Sequence, residues 1–77
     1  MILFIKVFND SSHLFTPLEM DISDSVSLLK QKIEEQMNIK VERQRLLYQG
    51  TPMFDDLCLY KYNLRENSVI NLIYQFI

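Results

Sequence analysis

One segment of this 77-residue chain has the periodicity of an amphipathic helix, and this segment most constrains the possible folds. Four apolar residues recur there at steps of three and four: Val26, Leu29, Ile33 and Met37. A Ser/Asp cluster at residues 23–25 offers oxygens that can cap the start of the helix, and Asn38 can adopt the left-handed conformation that ends it. Because no second helix is predicted, we expect the apolar face to pack against a sheet.

The residues before the helix have the character of a β-hairpin. Residues 1–8 are rich in β-branched and aromatic types, residues 9–12 supply turn chemistry, and a second extended run covers residues 14–22. Pro17 lies inside the second run and cannot donate a hydrogen bond to a neighbouring strand. The second strand should therefore lie at an edge of the sheet, with the first strand inside it.

Two further strands follow the helix. Residues 45–48 form the third predicted strand, which is closed by Gly50, and residues 68–76 form the last. The intervening residues 52–67 are predicted as a loop with one short helical turn. Alternation along the strands predicts a set of side chains that face the helix: Leu3, Ile5, Val7, Leu46, Tyr48, Ile70 and Leu72. This order predicts a single α+β domain over residues 1–77, with the helix packed on a mixed sheet.

Composition excludes several classes of function. Eight Lys and Arg residues against ten Asp and Glu give a net charge of -2, which disfavours nucleic acid as a partner because its binding needs clustered excess cations. The single cysteine, Cys58, cannot form an internal disulfide, and this favours an intracellular location. Lys6 interrupts the apolar opening of the chain, which is too short to span a membrane.

Catalysis has little support in the sequence. Cys58 and His13 are the sole residues of their types, but they fall in different predicted loops and no third group orients them. Asp55 and Asp56 have no third ligand nearby in the sequence, so a solvated turn is favoured over a metal site. We therefore predict that the chain is not an enzyme and uses neither a cofactor nor a metal.

The third predicted strand carries a resemblance to a known family. The run Gln-Arg-Leu-Leu-Tyr-Gln-Gly at residues 44–50 closely resembles Gln-Arg-Leu-Ile-Phe-Ala-Gly of ubiquitin. Tyr62 and Asn63 follow at the spacing of ubiquitin, and the opening Met-x-x-Phe-x-Lys also matches. With three extra residues in the first hairpin loop, the resemblance to the ubiquitin superfamily covers the whole chain. It implies a ubiquitin-like β-grasp roll, in which the Tyr62 hydroxyl ties down the loop before it.

The end of the sequence departs from the ubiquitin pattern. Ubiquitin is conjugated through a C-terminal diglycine, whereas this sequence ends Tyr-Gln-Phe-Ile and has no glycine after Gly50. The resemblance therefore implies a non-conjugating interaction module, which we expect to be the N-terminal domain of a larger protein. Two alternatives stay open: a covalent modifier whose diglycine is absent from this sequence, and an autoregulatory domain that packs on its parent protein.

The resemblance also implies a partner-binding patch on the sheet face that points away from the helix. Leu47 and Ile73 match the two central apolar positions by which ubiquitin is recognised. Five further residues complete the predicted patch: Lys6, Phe8, Arg45, Gly50 and Asn71. The expected partners are proteins with ubiquitin-binding elements or proteasome receptors. Thr51 and Gln75 replace two cations of ubiquitin, so we expect weaker recognition of acidic helices than of apolar surfaces.

A second outward-facing apolar patch is predicted from the alternation alone. Ile2, Phe4 and Val69 should lie next to the first patch and extend the exposed apolar area. Large exposed apolar areas mark contacts, here with a partner, with another domain of a longer protein or with a second copy through weak self-association. Scattered surface hydrophobes of no function are the alternative.

Overall fold

The computed structural model describes residues 1–8 and 14–74. Its elements, in chain order, are β1 Ile2–Val7, β2 Thr16–Glu19, α1 Val26–Met37, a 3-10 helix Val41–Arg43, β3 Gln44–Tyr48, β4 Thr51–Pro52, a second 3-10 helix Leu59–Tyr62 and β5 Val69–Tyr74. The predicted order of strands, helix and short helical turn is confirmed.

The five strands form one mixed sheet in the order β2-β1-β5-β3-β4. β1 and β5 run parallel, and the other neighbouring pairs are antiparallel. β2 lies at one edge, where Pro17 stands opposite Phe4 and no further strand needs its missing N–H. The prediction that Pro17 marks an edge strand is confirmed.

Local chemistry sets both ends of α1. The Ser25 hydroxyl accepts a hydrogen bond from the Leu28 N–H at 3.1 Å, which satisfies one of the free donors of the first turn. Asn38 has a φ of 59°, and its N–H donates to the Glu34 carbonyl at 2.9 Å. The predicted helix bounds are confirmed by both caps.

The core lies between α1 and the inner face of the sheet. Every strand from β1 to β5 except the two-residue β4 contributes buried apolar side chains, as do the helix and the loops. The buried set is Leu3, Ile5, Leu18, Met20, Val26, Leu29, Ile33, Leu46, Met53, Leu59, Leu64, Ile70 and Leu72. Val7, Met37 and Tyr48, predicted to face inward, are partly buried against this core.

Two predicted strands end earlier than expected, and one observed 3-10 helix was not predicted. The second strand ends at Glu19, before its predicted end, because a turn begins at Asp21: the Asp24 N–H donates to the Asp21 carbonyl, and the Asp21 N–H donates to the Asp24 carboxylate. The first strand ends at Val7, which leaves Phe8 in a turn. The 3-10 helix Val41–Arg43 was not predicted. The predicted hairpin turn at residues 9–12 and the end of the last strand at residues 75–76 lie outside the described residues.

Candidate protein-binding surface

The outer face of the sheet brings β3 and β5 side by side. Arg45 stands opposite Ile73 and Leu47 stands opposite Asn71. Side chains at such paired positions lie about 5 Å apart at Cβ, so the four form one compact block. Arg45 is exposed, and the other three side chains are partly exposed. Two apolar side chains, one cation and one amide therefore share a single surface; we call these four residues the β3-β5 block.

The turn between β3 and β4 positions the edge of this block. Gln49 and Gly50 have φ values of 51° and 80°, so both residues are left-handed, as a two-residue hairpin turn of this twist requires. The turn fixes the register that places Pro52 opposite Leu47. A Cβ added at Gly50 would have no neighbour within 4 Å. Gly50 therefore supplies the turn geometry and leaves open space beside the block.

Pro52 and Phe54 extend the apolar surface beyond the predicted residues. Together with Leu47 and Ile73 they line an open groove of about 610 Å³. The Phe54 side chain is 59% exposed, while its N–H donates to the Tyr62 hydroxyl at 2.7 Å. The prediction that Tyr62 ties down the preceding loop is confirmed. The sequence signal that could have placed Pro52 beside Leu47 is the pair Gln49-Gly50, which can form a two-residue hairpin turn.

The groove also has polar lining residues. The Lys30 ammonium pairs with the Asp55 carboxylate at 2.6 Å, and Glu42 and Asp56 also line the groove. Arg45 also lines the groove, where it pairs with Ile73 across the sheet and lies two residues before Leu47. The groove thus combines an apolar wall with charges of both signs.

Gln44 supports β3 from beneath. It is 3% exposed, and its Nε2 donates to the carbonyls of Lys30 and Ile39 at 2.9 Å each. Among the described residues its Oε1 has no hydrogen-bond partner. These bonds attach the start of β3 to the helix and to the segment after it. No role for Gln44 was predicted from the sequence, because glutamine is usually exposed.

Lys6 and Phe8 lie on the other side of the block. Lys6 stands opposite Asn71 across the β1-β5 pair, so its side chain adjoins the block directly. Phe8 follows the end of β1 and is 54% exposed, while its N–H donates to the Leu72 carbonyl at 2.8 Å. Phe8 therefore belongs to the rim of the surface, at the start of the first loop.

The second predicted patch lies on β2, β1 and β5. Phe4 stands between Pro17 and Val69 in the sheet, with Ile2 two residues before it on the same face. Val69 is 36% exposed, Pro17 is exposed, and Ile2 and Phe4 are partly exposed. We call these four residues the β1 patch. Pro17 was not among its predicted members.

Acidic groups surround the N-terminus at one end of the β1 patch. The Glu19 carboxylate accepts a hydrogen bond from the Met1 ammonium, and the Glu66 carboxylate accepts one from the Ile2 N–H at 3.0 Å. The hydrogen bond to Glu19 has the largest effect and raises the pKa of the Met1 amino group. Burial opposes it and lowers the pKa, and the charges of Glu19, Glu66 and Asp21 raise it further. Two cations also lie here, the Met1 ammonium and Lys32, whose ammonium donates to the Glu19 carbonyl at 3.1 Å. The three carboxylates of Glu19, Asp21 and Glu66 outnumber them, so this end of the patch is acidic overall.

The described residues contain little that suggests chemistry at a metal or a nucleophile. Within residues 1–8 and 14–74, no group of three His, Cys, Asp or Glu side chains could hold a metal ion. Cys58 is a free, partly exposed cysteine, and His13, its conceivable partner, lies outside the described residues. Across the same part of the chain, none of the helices has the length and apolar character needed to cross a membrane.

A mixed five-stranded sheet with one helix packed across it is the architecture of a ubiquitin-like β-grasp domain. The sequence profile of the ubiquitin family matches residues 3–76, and the chain belongs to that family. The resemblance predicted from residues 44–50 and from Tyr62-Asn63 is thereby confirmed.

Three relatives illustrate the range of proteins to which the chain is similar. The NEDD8-like protein RUB3 of Arabidopsis thaliana is 36% identical over 56 residues, which make up 73% of this chain and 72% of that protein. The UV excision repair protein rhp23 of Schizosaccharomyces pombe is 38% identical over 73% of this chain but only 15% of its own length. Ubiquitin-like protein 4A of Homo sapiens is 38% identical over 73% of this chain and 36% of its own length. The family thus includes both short proteins and domains of longer ones.

Proposed function

We propose that this ubiquitin-like domain is a non-covalent interaction module that recruits proteins with ubiquitin-binding elements or proteasome receptors through the β3-β5 block. The observation that carries the proposal is the register of β3 and β5, which joins Leu47 and Ile73 on one partly exposed surface. Two apolar side chains held by a rigid sheet can dock on a partner with little loss of conformational freedom.

The charges around the block favour an apolar docking surface on the partner. Arg45 and Lys6 are the cations that adjoin it, while Thr51 and Asn71 are uncharged. Three acidic residues, Glu42, Asp55 and Asp56, line the groove beside the block. An acidic helix would meet Arg45, Lys6 and Lys30, but Lys30 is already paired with Asp55. Glu42 and Asp56 would repel it, so it should bind more weakly than an apolar surface.

The proposal extends to the protein that carries the domain. We propose that the domain is the N-terminal part of a larger intracellular protein. The matches to rhp23 and to ubiquitin-like protein 4A occupy a minor part of those longer proteins, which supports a larger parent protein. The domain acts by binding and not by catalysis. A covalent modifier is the second candidate, supported by the similarity over 72% of the NEDD8-like protein RUB3. A domain that packs on its parent protein is the third.

An NMR titration tests the receptor proposal. The labelled domain is titrated with an isolated ubiquitin-associated domain and, separately, with an acidic ubiquitin-interacting helix. We expect amide shifts centred on Arg45, Leu47, Asn71 and Ile73, with tighter binding to the ubiquitin-associated domain. Leu47→Ala or Ile73→Ala should weaken binding by about tenfold, as truncation of a central contact typically does.

Val69→Ala is the matched control, because Val69 is an exposed apolar residue of the same strand outside the β3-β5 block. It should leave the affinity unchanged. The absence of shifts from either ligand at millimolar concentration would contradict recruitment of receptors. Equal losses of affinity in Val69→Ala and Leu47→Ala would show that the ligand binds elsewhere on the sheet and not on the β3-β5 block.

A further inference from the structure

The β1 patch has an apolar centre on the outer face of the sheet. Phe4 lies between Pro17 of β2 and Val69 of β5, and Ile2 continues the same face along β1. The neighbouring strands hold these side chains in fixed positions. Pro17 and Val69 are exposed and Ile2 and Phe4 are partly exposed, so the described residues leave the patch open.

The two ends of the patch carry opposite charges. At one end Glu19 stands opposite Ile2, and the Glu66 carboxylate bonds to the Ile2 N–H at 3.0 Å. At the other end Lys6 follows Phe4 on the same face of β1. From Ile2 to Lys6 the strand rises about 13 Å, at roughly 3.3 Å per residue. The apolar centre is thus flanked by an acidic end and a basic end.

We propose that the β1 patch is a self-association surface, on which a second copy of this chain docks face to face about a two-fold axis that lies in the interface and crosses β1 at right angles near Phe4. Such an axis reverses the direction of the partner patch. Lys6 of each copy then lies against Glu19 of the other, and the two apolar centres meet. A two-fold interface must be complementary to itself, and this distribution of charge meets that condition.

The geometry favours contact between faces over pairing between edges. β2 has four residues, and Pro17 removes a donor from its ladder, so the edge is a poor template for another strand. A face of four apolar residues is smaller than the roughly 800 Å² that each partner buries in a stable complex. The association should therefore be weak and fast in exchange.

Concentration dependence gives the first test. Amide spectra and sedimentation equilibrium of the 77-residue chain are recorded from about 20 µM to about 2 mM, a range suited to weak binding. We expect shifts that grow with concentration and centre on Phe4, Lys6 and Val69, while the average mass rises above the 9.2 kDa of one chain. A constant mass and constant spectra over this range would overturn the proposal.

Charge reversal tests the two-fold arrangement. Lys6→Glu and Glu19→Lys should each lower the association constant by about tenfold or more, because each brings like charges together. An equimolar mixture of the two variants should recover association, since every contact between unlike copies then pairs opposite charges. Far-UV spectra check the folding of Glu19→Lys, which also loses its bond to the Met1 ammonium. If each variant folds and the mixture stays monomeric, the two-fold axis is wrong.

Two further variants separate this proposal from receptor binding. Val69→Asp places a charge at the apolar centre and should abolish self-association, whether or not Glu19→Lys folds. Leu47→Ala should leave it unchanged, because Leu47 lies in the β3-β5 block. Lys61→Glu is the control for net charge, since Lys61 lies over Tyr60 in the second 3-10 helix, away from the sheet face. Self-association that survives Val69→Asp, or that Leu47→Ala or Lys61→Glu removes equally, would overturn the assignment of the patch.

Discussion

At the scale of single residues, Gln44 connects β3 to the helical layer. Its Nε2 donates to two carbonyls, those of Lys30 and Ile39, that lie in different segments. A buried amide of this kind contributes to stability and also fixes where β3 begins relative to α1. Arg45 and Leu47, two of the four residues of the β3-β5 block, lie on β3. Their position therefore depends on Gln44, although Gln44 is buried and lies outside the block.

We predict that Gln44→Ala lowers the free energy of unfolding by about 2 kcal/mol, because the partly buried carbonyls of Lys30 and Ile39 lose a donor and a cavity forms. Urea unfolding followed by far-UV circular dichroism measures the change. Gln36→Ala is the matched control, since Gln36 is an exposed glutamine of the helix and its replacement should change stability by less than about 0.5 kcal/mol. Similar losses in both variants would show that the Gln44 bonds add nothing.

At the scale of elements, the helix α1 is the most completely determined part of the fold. Ser25 caps its first turn, Asn38 ends it in the left-handed conformation, and its apolar face meets the sheet. Neither Asp nor Glu lies in the first turn, and neither Lys nor Arg lies in the last. The helix therefore gains little from its dipole and depends on its caps and its packing.

Removal of the N-terminal cap of α1 should lower the stability of the domain measurably. Ser25→Ala deprives the Leu28 N–H of its acceptor, and we expect a loss of about 1 kcal/mol in the free energy of unfolding. Ser27→Ala is the control within the first turn, where alanine is the better helix former and stability should stay equal or rise slightly. Thermal and urea unfolding measure the free energy of unfolding of both variants. A loss in Ser27→Ala equal to that in Ser25→Ala would rule out the cap as the cause.

Much of the element structure was predictable because its signals are local. Helical periodicity and caps gave α1, alternation gave the facing of β1, β3 and β5, and Pro17 gave the edge position of β2. The 3-10 helix Val41–Arg43 was missed because three residues carry no periodic pattern. The apolar extension at Phe54 was missed because its exposure is set by the bond of its N–H to Tyr62 and not by any strand pattern.

At the scale of the whole molecule, β5 joins the two halves of the chain. It pairs in parallel with β1 and antiparallel with β3, so it lies in the centre of the sheet although it is the last element in sequence. The β3-β5 block and the β1 patch both include residues of β5. Both surfaces form only when these distant segments pair. Alternation therefore predicted which face of the sheet each side chain lies on, but not that Leu47 pairs with Asn71.

The central position of β5 predicts opposite outcomes for two adjacent residues. Ile70 is 0% exposed and faces the core, whereas Val69 is 36% exposed on the outer face. We expect Ile70→Ala to lower the free energy of unfolding by about 3 to 4 kcal/mol through lost burial and a cavity. Val69→Ala should change it by less than about 0.5 kcal/mol.

The same pair of variants tests whether the domain unfolds as one unit. Because core side chains come from the helix, the sheet and the loops, the helical signal in far-UV circular dichroism and the signal of the partly buried Tyr48 and Tyr62 should be lost together. In Ile70→Ala both urea transitions should shift to the same lower midpoint. If the helical signal kept its original midpoint while the tyrosine signal shifted, α1 would be stable without the sheet. The helix and the sheet would then unfold as two independent units.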